Sequence, residues 1–155
     1  MDTPLHDLIQ QTFRSVERKE LNGVLSLLAD DAVFTDPHYP DPVMRGKAEI
    51  EAGLRWGFSS MKQFGFTIVR FFDAPDRQSA AVEVATHHVL KGGMNLRFPQ
   101  MFVIETRNGK ITRLQAFEPY GPNGIGGAVL SLTRLVRRVK RLSQSGGRRR
   151  TTAGK

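Results

Sequence analysis

Residues Leu28–Pro37 read LADDAVFTDP. An apolar run closes on Asp30 and Asp31, a short β-branched and aromatic segment follows, and Asp36 arrives immediately before a proline. The stretch is a change from helical to extended chain, and its neighbours decide the fold it belongs to. Upstream, Leu5, Leu8, Ile9, Phe13 and Val16 recur at helical spacing over residues 4–19, with Thr3 as N-cap and Pro4 in the first turn. ELNGVLSLLADD, residues 20–31, reads as a second, shorter helix that buries Leu21, Val24, Leu25 and Leu28 and ends on the two aspartates. AVFTD is then a short strand, and PHYPDPVMRG, with its three prolines, an irregular loop. A third helix over residues 47–61 carries Ile50, Leu54, Trp56 and Phe58, with two glycines that blur where it ends.

Downstream the period changes from helical to alternating. QFGFTIVRFFD, SAAVEVATHHVL, LRFPQMFVIET and ITRLQAFEP are four strand-like runs separated by APDRQ, KGGM and RNGK. Asn108-Gly109 is a hairpin turn, since both residues tolerate positive φ. Helices followed by an antiparallel meander give an α+β fold in which a curved sheet wraps the N-terminal helices. YGPNGIGG, with four glycines in eight residues, then breaks the chain. The expected organisation is a domain over residues 1–122, a Gly-rich hinge at 123–127, an amphipathic basic helix at 128–144 and a disordered basic tail at 145–155.

Composition narrows the function classes. At 155 residues the chain is one domain with enough apolar residues for one core. Without cysteine there is no disulfide, thiolate metal site or cysteine nucleophile, which suits a reducing cytosol. MDTPLHDLIQQTF lacks a basic leader and no apolar run approaches the roughly 20 residues of a membrane span, so a cytoplasmic protein is expected. The net charge of +8 is unevenly spread: residues 1–123 hold 14 Lys/Arg and 15 Asp/Glu, whereas residues 124–155 hold 9 Lys/Arg and no acid. A basic nucleic-acid-binding domain is therefore disfavoured, and an anionic partner is expected to engage the tail.

The order of elements, together with LADDAVFTDP, MRGKAEI and RNGKITRLQAFEP, resembles the nuclear transport factor 2-like superfamily in its SnoaL-like and ketosteroid-isomerase-like branch, over about residues 4–120. The resemblance implies a cone-shaped α+β barrel with a deep apolar pocket between the helices and the concave sheet, often in a homodimer packed through the sheet. The superfamily includes isomerases, epoxide hydrolases, polyketide cyclases, dehydratases and members without catalysis, so fold alone does not select among them. Asp36 falls where ketosteroid-isomerase-like enzymes keep their general base. The family's oxyanion-hole tyrosine falls at Thr12 and its partner aspartate at Met101, with Gln100 beside it, so both usual donors are absent at those positions. The relay aspartate of the limonene-epoxide-hydrolase-like branch falls near Ala116, one slip from Glu118, which is also the counterpart of the aspartate that SnoaL-like cyclases use on this strand.

Read as residues, the same positions keep two roles open. Asp36 is either a base or a turn residue bonded to nearby backbone amides. Asp30 and Asp31 are solvated or capping. Glu118 is an acid/base group or a rim salt bridge on the face of Leu114 and Ala116. His87 and His88 point to opposite sides of one strand, and His88, in phase with Val82, Val84 and Thr86, faces inward. Asp36, His88 and Glu118 are thus the catalytic candidates. His38, Tyr39, Trp56, Phe58, Phe98, Gln100, Met101 and Val103 are the candidates for binding a ligand. No compact metal-ligand spacing is present, so no metal and no cofactor are expected.

The helix at 128–144 sets an apolar face (Val129, Leu132, Leu135, Val136, Val139, Leu142) against arginines and a lysine. It can dock on its own domain or a dimer mate, lie on an anionic membrane surface, or meet another acidic partner; nucleic acid has little support because no aromatic residues are interleaved. Two functions follow. One is an isomerase, hydrolase or cyclase acting by acid-base chemistry on an apolar, carbonyl-bearing, steroid- or polyketide-like substrate. The other is a non-catalytic module that binds an apolar ligand or a protein partner, with the tail directing it to an anionic surface.

Overall fold

The computed structural model describes residues 4–118. Chain contacts group these residues into one compact unit. The hinge, the basic helix at 128–144 and the tail lie outside the described residues.

Helix α1 (Pro4–Glu17) buries Leu5, Ile9 and Phe13, the stripe that its spacing predicts. Helix α2 (Leu21–Ser26) is shorter than its sequence suggests. Leu28–Thr35 is strand β1, so Asp30 and Asp31 stand on a strand and do not end a helix. The reason is pairing: Leu28 registers with Ile111 and the Ile111 N–H donates to the Leu27 carbonyl at 2.9 Å, which holds both leucines in the core against local helix propensity. Asp30 and Asp31 are exposed and ion-paired to Lys47 at 2.7 Å and to Arg107 at 2.8 Å. The guanidinium of Arg107 lowers the Asp31 pKa.

After the proline loop come β2 (Val43–Arg45), α3 (Gly46–Ser60), β3 (Met61–Gln63), β4 (Phe66–Asp73), β5 (Ser79–Leu90), β6 (Asn95–Arg107) and β7 (Lys110–Phe117). QFGFTIVRFFD therefore holds Gln63, the last residue of β3, and the whole of β4; both strands pair with β5 and are divided at Phe64-Gly65. Helix α3 runs unbroken through Gly53 and Gly57, which make room for neighbours: a Cβ at Gly53 would meet Met44 Sδ at 2.1 Å, and one at Gly57 would meet Tyr39 Oη at 3.0 Å. Asn108 and Gly109 both take positive φ, at 53° and 70°, as their hairpin requires.

The sheet order is β2-β1-β7-β6-β5-β3, with β4 also on β5. It is a curled half-barrel against the helices, and Phe13 of α1 bridges to the sheet through ring contacts of 4.9 Å to Phe66 and 5.1 Å to Phe102. One pairing departs from a simple meander: β1 joins β7 in parallel, with Thr35 opposite Gln115. Parallel neighbours end on the same side, so the residues just beyond β1 and β7 emerge together. Among the described residues no helix is long and apolar enough to cross a membrane.

Candidate functional site

Asp36 follows β1 and Glu118 follows β7, and the parallel pairing brings these two carboxyl groups to one rim although 82 residues of chain separate them. His38 joins them. Its Nδ1 lies 3.2 Å from Asp36 Oδ1 and its Nε2 lies 2.5 Å from Glu118 Oε1. The backbone N–H of His38 also donates to Asp36 Oδ1 at 2.9 Å, an Asx-type turn closed by the Asp36 N–H on the Pro42 carbonyl at 2.9 Å. Asp36 is therefore a turn residue and a cavity residue at once: the turn that fixes its backbone also aims its carboxylate.

Behind this rim lies an apolar cavity with about 80 Å³ of free volume, bounded by Phe13 and Val16 of α1, Leu54 and Trp56 of α3, and Phe34, Phe64, Phe66 and Phe102 from the sheet side. Asp36, His38, Tyr39, His88 and Gln100 supply its polar points. Pockets for drug-sized ligands run to roughly 300–1,000 Å³, so most of such a ligand would have to extend past the mouth of this cavity.

His88 is buried in phase with Val82, Val84 and Thr86. Its Nδ1 accepts the Gly65 N–H at 3.3 Å, which places the ring proton on Nε2. Phe64, Phe66 and Phe98 contact the ring edge-on at 5.0–6.1 Å, and burial drives its pKa down to about 4. It is a neutral donor at ordinary pH. Gln100 is buried, its Oε1 accepts from Thr86 Oγ1 at 2.7 Å, and its Nε2 donates toward Glu118 Oε1 at 3.4 Å. Thr86 thereby orients the amide so that its N–H groups are the end offered to the rim.

The titrations at the rim follow from these contacts. The hydrogen bond to Asp36 raises the His38 pKa against desolvation, and the charges of Asp36 and Glu118 add to the rise. Burial raises Glu118, with the His38 cation opposing and the Asp36 charge adding. Burial and then the Asp36 charge push the Tyr39 phenol upward, so it stays protonated. Thr12, at the position of the family's tyrosine, is buried but donates to the Leu8 carbonyl at 2.8 Å, so its hydroxyl is spent within α1.

Of the sequence-derived candidates, Asp36, His38, Tyr39, Trp56, His88 and Gln100 line the cavity. Glu118 closes the rim through His38. Phe98 stands beside both histidines, with ring centroids 5.7 Å from His38 and 6.1 Å from His88, while Phe58 packs on Phe64 at 5.8 Å as backing. Met101 and Val103 require correction. Strand residues alternate, Gln100 and Phe102 face the cavity, and so Met101 and Val103 occupy the opposite face of β6 and cannot touch a ligand there. The inward donor of this strand is Gln100, the neighbour of the position at which the resemblance puts the family's aspartate. Thr86 as its orienting partner and Phe64 and Phe66 as walls were not picked out by sequence reasoning, although Phe66 and Thr86 are opposite each other in the β4–β5 register. Asp36, His38 and Glu118 also offer ligand atoms within 4.8 Å of one another, the one grouping of this kind among the described residues. Each ring nitrogen of His38 already faces a different carboxylate, an arrangement suited to an imidazolium.

A family model described as a SnoaL-like domain matches residues 9–114. No curated protein matches the sequence. Among solved structures, the Δ5-3-ketosteroid isomerase of a Mycobacterium species is similar at 22% identity and a TM-score of 0.69, over 76% of this chain and 95% of that one. A putative polyketide cyclase of Xanthomonas campestris is similar at 20% identity and a TM-score of 0.65, over 75% of this chain and 90% of that one. A hypothetical protein of Catenulispora acidiphila with a ketosteroid-isomerase-like fold, in complex with trimethylamine, is similar at 19% identity and a TM-score of 0.63, over 71% of this chain and 83% of that one.

Proposed function

The chain belongs to the SnoaL-like domain family, and from that premise we propose that its cavity is the site of acid-base chemistry, of the isomerase, hydrolase or cyclase kind, on an apolar carbonyl-bearing compound of steroid or polyketide type. The observation that carries this reading is the sharing of one apolar cavity by a carboxylate, Asp36, and two neutral donors, His88 and Gln100. Asp36 takes a proton from the carbon next to the carbonyl. The electron pair moves onto the carbonyl oxygen, and the N–H groups of His88 and Gln100 stabilise the enolate. A donor of this type is worth about 10²–10³ in rate, so this pair replaces the missing tyrosine and aspartate in kind. His38 holds Asp36 in place and Glu118 holds His38; both are positioning residues.

The small free volume implies that only the carbonyl-bearing end of the substrate enters. The apolar walls, with no lysine or arginine among the described lining residues, support an uncharged reacting group, and the partly exposed outer face with Met101 and Val103 supports a homodimer packed through the sheet. The test is deuterium incorporation from heavy water into enolisable ketones, running from single-ring ketones to a β,γ-unsaturated steroid ketone, by wild type and Asp36→Asn together. Exchange above background by wild type, reduced at least a hundredfold in the variant, is expected. Background exchange by both on every ketone would end the proton-transfer reading at carbon and leave hydration or epoxide opening, or a non-catalytic binding module.

A further inference from the structure

The charges around the cavity are one-sided. Asp36 lines it, and Asp41 and Glu49 line a surface groove that shares Tyr39, Met44 and Trp56 with it. No lysine or arginine among the described residues lines either concavity. Three bases of the helical side are committed elsewhere: Lys19 Nζ donates to the Phe58 and Met61 carbonyls at 3.1 and 2.6 Å, Lys47 pairs with Asp30, and Arg55 pairs with Glu51 at 2.6 Å. Among the described residues two carboxyl groups face one histidine at the rim, so with both ionised the rim carries an excess of negative charge even when His38 is an imidazolium.

The walls match that charge. Tyr39 and Trp56 form a tilted pair with centroids 5.7 Å apart, and they stand where the cavity meets the groove. Aromatic faces attract cations through their quadrupole, Trp most strongly, and more so where water is excluded. A bare ammonium would be costly in such an apolar space, but an alkylated one buries methyl groups against the rings while its charge stays near carboxylate. A free volume of about 80 Å³ suits a head group of this size.

We propose that the cavity mouth, between the Tyr39–Trp56 pair and Asp36, binds a small alkylated ammonium group and excludes carboxylates and phosphates. This rests on reading the cavity as a small-molecule site and is independent of whether proton transfer occurs there. It narrows the ligand class to molecules that are neutral at the reacting group and carry a tertiary or quaternary amine, where they carry any charge.

The chain has a single tryptophan, Trp56, so intrinsic fluorescence reports on this site alone. Three probes of nearly equal shape decide the matter when titrated into the full-length protein: choline, its neutral isostere 3,3-dimethylbutan-1-ol, and the anion 3,3-dimethylbutanoate. Choline is expected to bind at least tenfold more tightly than the alcohol, the anion not at all, and 1 M salt to erase most of the difference. Asp36→Asn should weaken choline at least fivefold without moving the alcohol, while Asp41→Asn on the groove side leaves choline within twofold; unchanged melting of each variant certifies the fold. Equal binding of choline and alcohol would overturn the charge selection while leaving the cavity a small-molecule site. Weakening by Asp41→Asn alone would move the cation to the groove and overturn the assignment, as would the absence of any response to choline. The ketone exchange assay reads catalysis separately, so the two readings fail independently.

Discussion

The behaviour of His88 depends on its being neutral in the fold. Its pKa sits near 4, against about 6.5 in an unfolded chain, because burial penalises the charged ring. A depressed pKa means that protons bind the unfolded state better, so this contribution to stability is complete above about pH 6.5 and is lost as pH falls toward 4, by up to about 1.4 kcal/mol per pH unit. His38 has the opposite sign. Its raised pKa makes its ion pairs stabilising below 6.5 and lost as pH rises, and with a side chain 39% exposed the contribution is small. Urea unfolding midpoints of wild type should therefore drop between pH 6.5 and 5, before most carboxylates titrate. His88→Gln, which keeps an acceptor for the Gly65 N–H, should flatten that slope. A slope unchanged in the variant would mean that His88 is not the group responsible.

At the scale of elements, Gly65 is where α3's exit, the β3–β4 break and His88 meet. A Cβ on Gly65 would sit 2.7 Å from the His87 carbonyl oxygen, and the obstacle is backbone, which cannot swing aside as a side-chain end can. The same residue accepts the His87 N–H at 2.9 Å and donates to His88. Gly65→Ala is expected to cost about 1–3 kcal/mol in chemical denaturation, the usual range for overpacking, and to lower ligand or exchange activity by displacing His88. Gly92, in the β5–β6 hairpin with nothing within 4 Å of its Cβ position, provides the contrast: Gly92→Ala should be neutral within about 0.5 kcal/mol. Equal losses at both would mean that glycine flexibility, not close approach, sets the cost. The elements also mark what could be read from sequence. The strand alternation of VEVATHHVL already turns His88 inward, and Asn108-Gly109 announces its turn. LADD was misread because its apolar spacing fits a helix, and only pairing with β7, far away in sequence, makes it a strand. For the same reason the Asp36–His38–Glu118 rim was legible as separate candidates but not as a cluster: parallel pairing of the first and last strands leaves no local mark. Gln100 and Met101 both read as ligand-binding candidates, but neighbours in a strand point to opposite faces, so only one of the two can line the cavity.

For the whole molecule, the core and the charge are carried by different parts of the chain. Every buried apolar side chain among the described residues lies between Leu5 and Ala116, whereas residues 124–155 hold 9 basic residues and no acid. A chain ended after Gly124 would keep that entire core and carry a formal charge of −1 in place of +8, since its 14 bases and 15 acids all precede that point. It is expected to melt in a single cooperative transition, by far-UV circular dichroism and by Trp56 fluorescence alike, and to bind choline as the full chain does, because the proposed cation site uses only residues up to Glu118. Retention on an anionic surface should be lost with the tail and should fall steeply with salt in the full chain. Non-coincident transitions in the truncated chain would instead assign part of the folding free energy to residues beyond 124, and the apolar positions of residues 128–144 would then be read as a piece of the core.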